Sequence, residues 1–193
     1  MEQYKCSSKK GKRFLLQKEG KKTMLFIGGS PSSADQFSLD PTSRNIEKLA
    51  NKNNCDGWAI VNLHSEIIDC YDNISDEVSE LSVKENLEFI KNFISDTEIH
   101  KVVVGWGNVV SRIPYLEKVS FELMEMLKDF NVECIDTTQK GNPYSASPMA
   151  INRNFGGISN VELKPFKSKV VEYDLMRDLD IILKTVKNIL NNH

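Results

Sequence analysis

Four short apolar runs punctuate the chain, at residues 24–27, 58–61, 102–104 and, more weakly, 132–135, each bounded by Gly or polar residues. Runs of this length with little alternation predict strands buried on both faces, as in a parallel sheet. Between the runs the period lengthens. Asp40-Pro41-Thr42-Ser43-Arg44 reads as a helix start, because Pro suits the first helical position and the hydroxyls can cap free amides. Ile46, Leu49 and Ala50 then form a short apolar face up to about Asn53. Val83, Leu87, Ile90 and Ile94 predict a helix over 79–94, and Leu116, Val119, Leu123, Met126 and Phe130 predict one over 115–130. Residues 13–18 read as a leading edge strand, with 18–22 turning into the first run. A helix between each successive pair of strands is what parallel crossovers require. The predicted fold is a single three-layer α/β domain with a short, mostly parallel central sheet.

After Phe155-Gly156-Gly157 the pattern changes, and Leu175, Leu179, Ile182, Val186 and Ile189 predict a helix over 173–191. It is read as packing on the domain, with a contact between copies as the weaker alternative. With no internal repeat or low-complexity linker, residues 1–193 read as one domain: a core at 13–155 and a C-terminal extension at 156–193.

In an open α/β sheet, ligands bind outside the carboxyl ends of the strands, where the loops converge. Four loops of this chain gather its Gly, Asn, Ser and aromatic residues there. The first is Gly28-Gly29-Ser30-Pro31-Ser32-Ser33-Ala34-Asp35, whose backbone can approach and cradle an anion. It lacks the Gly-Lys-Ser/Thr of a Walker loop and the second Gly of a nucleophile elbow. Asp35 is a candidate to orient water or bind a ribose hydroxyl, or equally to cap the following turn; Asp40 reads as a helix cap. The second loop holds Asn62, able to read an amide or base edge, and His64, able to shuttle a proton. Alternation predicts that both point to the same face. In the third, Gly105-Trp106-Gly107-Asn108, Trp106 can stack on a planar ligand or belong to the core. The fourth, with Asn142, Tyr144 and Ser145, reads as a polar loop closing over a ligand or as a tight solvent loop.

Composition narrows the function classes. Lys+Arg 25 against Asp+Glu 27 gives a net charge of −2, which provides no global footprint for nucleic acid. The basic residues 1–22 read as a solvated, frayed end. No apolar stretch approaches the ~20 residues of a membrane helix, and the N-terminus lacks the apolar segment of a secretion signal. Cys6, Cys55, Cys70 and Cys134 are scattered, as are His64, His100 and His193, so reduced structural thiols and no metal are expected. The expectation is a cytoplasmic protein without cofactor or membrane partner.

The run Gly29-Ser30-Pro31-Ser32-Ser33-Ala34-Asp35, then Asp40-Pro41-Thr42 with Arg44, Val61-Asn62-Leu63, Gly105-Trp106-Gly107 and Gly141-Asn142-Pro143, resembles a bacterial and phage family known as domain of unknown function 1643. The resemblance spans about Arg13 to Met149. That family usually has Asn at the position of Ser30 and a His-Pro pair near Ser147-Pro148. More distantly, Gly28-Gly29-Ser30-Pro31, Asn62, Trp106-Gly107 and Ser145-Ala146-Ser147-Pro148 are similar in order to loops of the uracil-DNA glycosylase superfamily. This resemblance implies a glycosylase-like fold and recognition of a nucleotide, a nucleobase or a nucleic acid, with hydrolysis of an N-glycosidic bond as the associated reaction. In that scheme Asp35 orients water, Asn62 reads the base, Trp106 or Tyr144 stacks on it, and the amides of residues 28–33 hold a phosphate. Ser30, Asp35 and His64 are the candidate catalytic residues. Gly28, Gly29, Ser32, Ser33, Asn62, Trp106, Asn108, Asn142, Tyr144 and Ser145 are the candidate ligand contacts. The alternative is a binding module that kept the cleft without the chemistry.

Overall fold

The computed structural model describes residues 4–67 and 80–167. The predicted helix over 173–191 lies outside them, as does Cys70.

The four apolar runs are the middle of one sheet. They form β3 (Thr23–Gly28), β4 (Gly57–Asn62), β5 (Ile99–Gly105) and β6 (Val132–Cys134), and all pair in parallel: β4 and β5 flank β3, and β6 follows β5. Every residue of β3 and β4 is buried, because both faces of these strands are covered.

The sheet as a whole is mixed, not mostly parallel. Among the described residues it has seven strands in the order β1-β2-β4-β3-β5-β6-β7, with β1 (Lys5–Lys9), β2 (Lys12–Lys18) and β7 (Lys164–Pro165) joined by antiparallel pairings. Residues 13–18 are therefore not the edge, and the described part of the basic N-terminal region is not frayed. It forms a hairpin whose turn residues, Lys10 (φ 50°) and Gly11 (φ 79°), both take the left-handed conformation that matches strand twist.

Helices cover both faces. On one side α1 (Pro41–Lys52) and α4 (Pro148–Phe155) bury Ile46, Leu49, Ala50 and Ile151 against Met24, Phe26, Trp58, Ile60 and Val103. On the other, α2 (Glu80–Asp96) and α3 (Pro114–Met126) bury Leu87, Ile90, Leu116, Val119 and Leu123 against Leu25, Ile27, Val61, Val102 and Val104. Each fully buried aliphatic contributes roughly 1.5–3 kcal/mol of transfer free energy. The helix predicted to run to residue 130 ends at Met126, where the Leu127 amide donates to the last carbonyls, and Phe130 beyond it still packs on that core.

This layout positions the site. The chain leaves β3 for α1 on one face, while the neighbouring strands β4 and β5 feed α2 and α3 on the other. Loops diverge above the end of β3, and a crevice opens there. Among the described residues, no helix is long and apolar enough to cross a membrane.

Candidate functional site

One row of residues across the sheet creates the pocket. Gly28 is the register partner of both Asn62 and Gly105, so two of the three positions in that row carry no side chain. The glycines are required by close approach. A Cβ on Gly28 would lie 2.6 Å from the Asn62 Oδ1, and one on Gly105 would collide with the Phe26 ring and sit 3.0 Å from the Tyr144 carbonyl. Above the row is a cavity of about 320 Å³, floored by Phe26, Ile46 and Ile60. Its polar walls are the loop Gly28–Ser32, the first turn of α1 at Thr42 and Ser43, and Ser145 and Ser147 before α4.

Asn62 is 3% exposed and its Nδ2 has no hydrogen-bond partner. The backbone around it is fixed from α2, where the Asn86 Nδ2 donates to the carbonyls of Asn62 (2.9 Å) and Leu63 (3.1 Å). A buried amide donor without a partner is uncommon in folded proteins and asks for an explanation.

Arg13, near the start of β2, is the second polar group of the cavity. A bulge puts it there. Ser7 opposes Leu15 and Ser8 opposes Arg13, leaving Phe14 as an extra residue in β2. Simple alternation would send Arg13 to the face opposite Leu16; the extra residue brings it to the same side. It is 2% exposed, and its Nη1 donates to the carbonyls of Ala34 (2.7 Å) and Ser32 (3.2 Å) while its Nε has no partner. Burial pulls the guanidinium pKa down from its ordinary value, with the charge of Asp40 opposing.

Asp40 caps α1 as expected. Its Oδ1 accepts from the Ser43 amide at 2.6 Å and its Oδ2 from the Ser32 hydroxyl, which ties the first loop to the helix. Across the cavity, the Ser147 hydroxyl caps α4 at Ala150, the Ser145 hydroxyl donates to the Ser147 hydroxyl at 3.1 Å, and the Asn45 Nδ2 holds the Ala146 carbonyl at 2.8 Å.

Of the candidates, Gly28, Gly29, Ser30, Ser32, Asn62 and Ser145 line this cavity together. The others sit elsewhere. The Asp35 carboxylate accepts from the amides of Phe37 and Ser38, both at 2.9 Å, closing its own turn, and Ser33 is exposed. Trp106 is 4% exposed and meets the Phe166 ring edge-to-face at 5.8 Å within the core under α3, so it does not stack in the cavity. Tyr144 meets the Phe155 ring edge-to-face at 5.5 Å. The Asn108 Oδ1 accepts from the Thr138 hydroxyl (2.8 Å) and the Asn142 Nδ2 (3.0 Å), a lacing between two loops.

His64 and Asn62 do not share a face. The strand ends at Asn62, the next residues bend, and His64 turns toward α3, where its Nδ1 pairs with the Tyr115 hydroxyl at 2.7 Å. It is 3% exposed, its Nε2 lacks a hydrogen bond, and the Glu66 carboxylate lies 3.9 Å away. Burial lowers its pKa, with Glu66 opposing, and burial also raises that of Tyr115. Among the described residues no group of three or more His, Cys, Asp or Glu could hold a metal ion.

No curated protein and no solved structure matches the chain. One family does: residues 13–144, which carry Arg13, the glycine loop, Asn62 and Gly105 of this cavity but not Ser145 or Ser147, match the family described as Protein of unknown function (DUF1643), and the chain belongs to that family.

Proposed function

We propose that the cavity above β3 binds a nucleobase-containing small molecule, read by Asn62. The observation that carries this is the buried, unpartnered Asn62 amide on the wall of a cavity emptied by two glycines. An amide offers a donor and an acceptor side by side, which suits the edge of a base, and the apolar floor of Phe26, Ile46 and Ile60 suits its face. At about 320 Å³ the cavity is at the small end of ligand pockets, which span roughly 300–1,000 Å³. That size and the net charge of −2 favour a free base or nucleotide over a length of nucleic acid.

The resemblance to glycosylases supports the same ligand class, and hydrolysis of an N-glycosidic bond is the second reading. Binding is favoured over hydrolysis because the described lining offers serine hydroxyls, Ser30 nearest the strand end, and neither carboxylate nor imidazole. Asp35 and His64, the groups that would handle water and protons, are engaged outside the cavity.

Titration calorimetry with the common nucleosides and nucleotides tests the reading. Removing the amide in Asn62→Ala should weaken binding by roughly 5- to 150-fold, since an unmet buried polar partner costs about 1–3 kcal/mol. A wild-type protein that binds none of these compounds, or an Asn62→Ala variant of unchanged affinity, would overturn it. Release of free base from uridine or uracil-containing DNA would promote the hydrolase reading.

A further inference from the structure

We infer that the ligand of this cavity carries a negative charge and that Arg13 selects for it, so that a phosphorylated nucleotide is preferred over the free base or nucleoside. This rests on the nucleobase reading and deepens it.

Arg13 is the one charged residue among the described residues lining the cavity. It is 2% exposed, and among the described residues no carboxylate comes within ion-pair distance of it. A buried guanidinium without an anionic partner is costly. Two backbone carbonyls meet its Nη1, which accounts for a bracing role on the Ser32–Ala34 loop. They leave the Nε unmet, and that atom is on a side chain at the cavity wall.

The surroundings favour an anion at the same place. Ser30 and Ser32 come from the glycine loop, and Thr42 and Ser43 from the first turn of the 12-residue helix α1, whose N-terminus carries positive partial charge. Asp40, the acid whose charge reaches Arg13, has both carboxylate oxygens engaged, by the Ser43 amide and the Ser32 hydroxyl. A phosphate would supply the acceptor oxygen that the Arg13 Nε lacks, in a cavity that the hydroxyls of Ser30, Thr42 and Ser43 also line. The bulge at Phe14, which brings Arg13 to this side of the sheet, then has a purpose at the site.

The test compares nucleosides, their 5′- and 3′-monophosphates and ribose 5-phosphate by calorimetry on the full chain. Wild-type protein should bind a monophosphate at least about tenfold more tightly than its nucleoside, the scale of a charge-assisted hydrogen bond. Arg13→Met should erase that preference, Arg13→Lys should keep part of it, and Asn62→Ala should weaken nucleoside and monophosphate alike. The wild-type comparison stands even where Arg13→Met fails to fold. Equal affinity for nucleoside and monophosphate would overturn the charge selection while leaving the base reading intact. Arg13-dependent binding of ribose 5-phosphate with no gain from a base would keep the charge selection and overturn the base reading. Binding of none of these compounds would overturn both.

Discussion

Gly28 shows how narrowly the cavity depends on single atoms. Its missing Cβ is the space in which the Asn62 amide lies, 2.6 Å from where that carbon would be. Gly28→Ala should therefore displace Asn62 and lower affinity as much as Asn62→Ala does. Overpacking should also cost roughly 1–3 kcal/mol of stability, read by urea denaturation. His64 makes a different prediction. Its folded pKa is depressed by burial, so below its unfolded value of about 6.5 the unfolded chain binds more protons than the native one. The stability it contributes is whole above that pH and is lost as pH falls from there toward the folded value. His64→Gln should flatten that part of the pH–stability curve, and an unchanged slope between pH 7 and 5 would contradict the burial argument. Among single residues, the strand-end argument located Asn62, Gly28 and Ser145, because convergence of loops depends only on where strands stop. It misplaced His64, because the period of two holds only while the strand continues, and β4 ends two residues earlier. Trp106 was ambiguous because its partner Phe166 is far along the chain.

At the scale of elements, legibility followed apolar content. β3 to β6 announced themselves as apolar runs, and α1 by Asp40 and Pro41 at its start. β1 and β7 did not: Lys5–Lys9 and Lys164–Pro165 are exposed or half-buried and carry little hydrophobic signal. Both are edge strands held by backbone pairing, and pairing partners are not written in local sequence. The Phe14 bulge was invisible for the same reason, and with it the placement of Arg13. α4 is short, and its cap, Ser147, follows directly on the polar loop that holds Tyr144 and Ser145. The start of α1 gives the element-scale prediction. Asp40 holds both the Ser43 amide and the Ser32 hydroxyl, so Asp40→Ala removes a helix cap and unties the first loop. It should cost about 1–2 kcal/mol, with Asp40→Asn recovering much of it because the amide oxygen still accepts from Ser43. Equal losses for the two variants, measured by denaturant midpoint, would show that charge matters more than the cap.

At the scale of the molecule, the sheet is the shared wall of two cores among the described residues. Leu49 on α1 and Leu123 on α3 are both fully buried, yet they face opposite sides of it. Removing either to Ala should cost about 2–5 kcal/mol, since each leaves a cavity in a packed layer. They share no side-chain cluster, so the two losses should add to within about 0.5 kcal/mol in the double variant. The sheet also makes the two cores interdependent. The same strands present Leu25, Ile27 and Val61 to one core and Met24, Phe26 and Ile60 to the other, so neither face can lose its order while the strands remain. Each single variant should thus unfold in one step, with far-ultraviolet dichroism and tryptophan fluorescence tracing the same transition. The two tryptophans make this a sharp test, because Trp58 belongs to the α1 core and Trp106 to the α3 core. If Leu49→Ala loosened the surroundings of Trp58 at a lower denaturant concentration than those of Trp106, the cores would be separable. The cavity, walled by β3, β4, β5 and α1, would then draw its rigidity from one side alone.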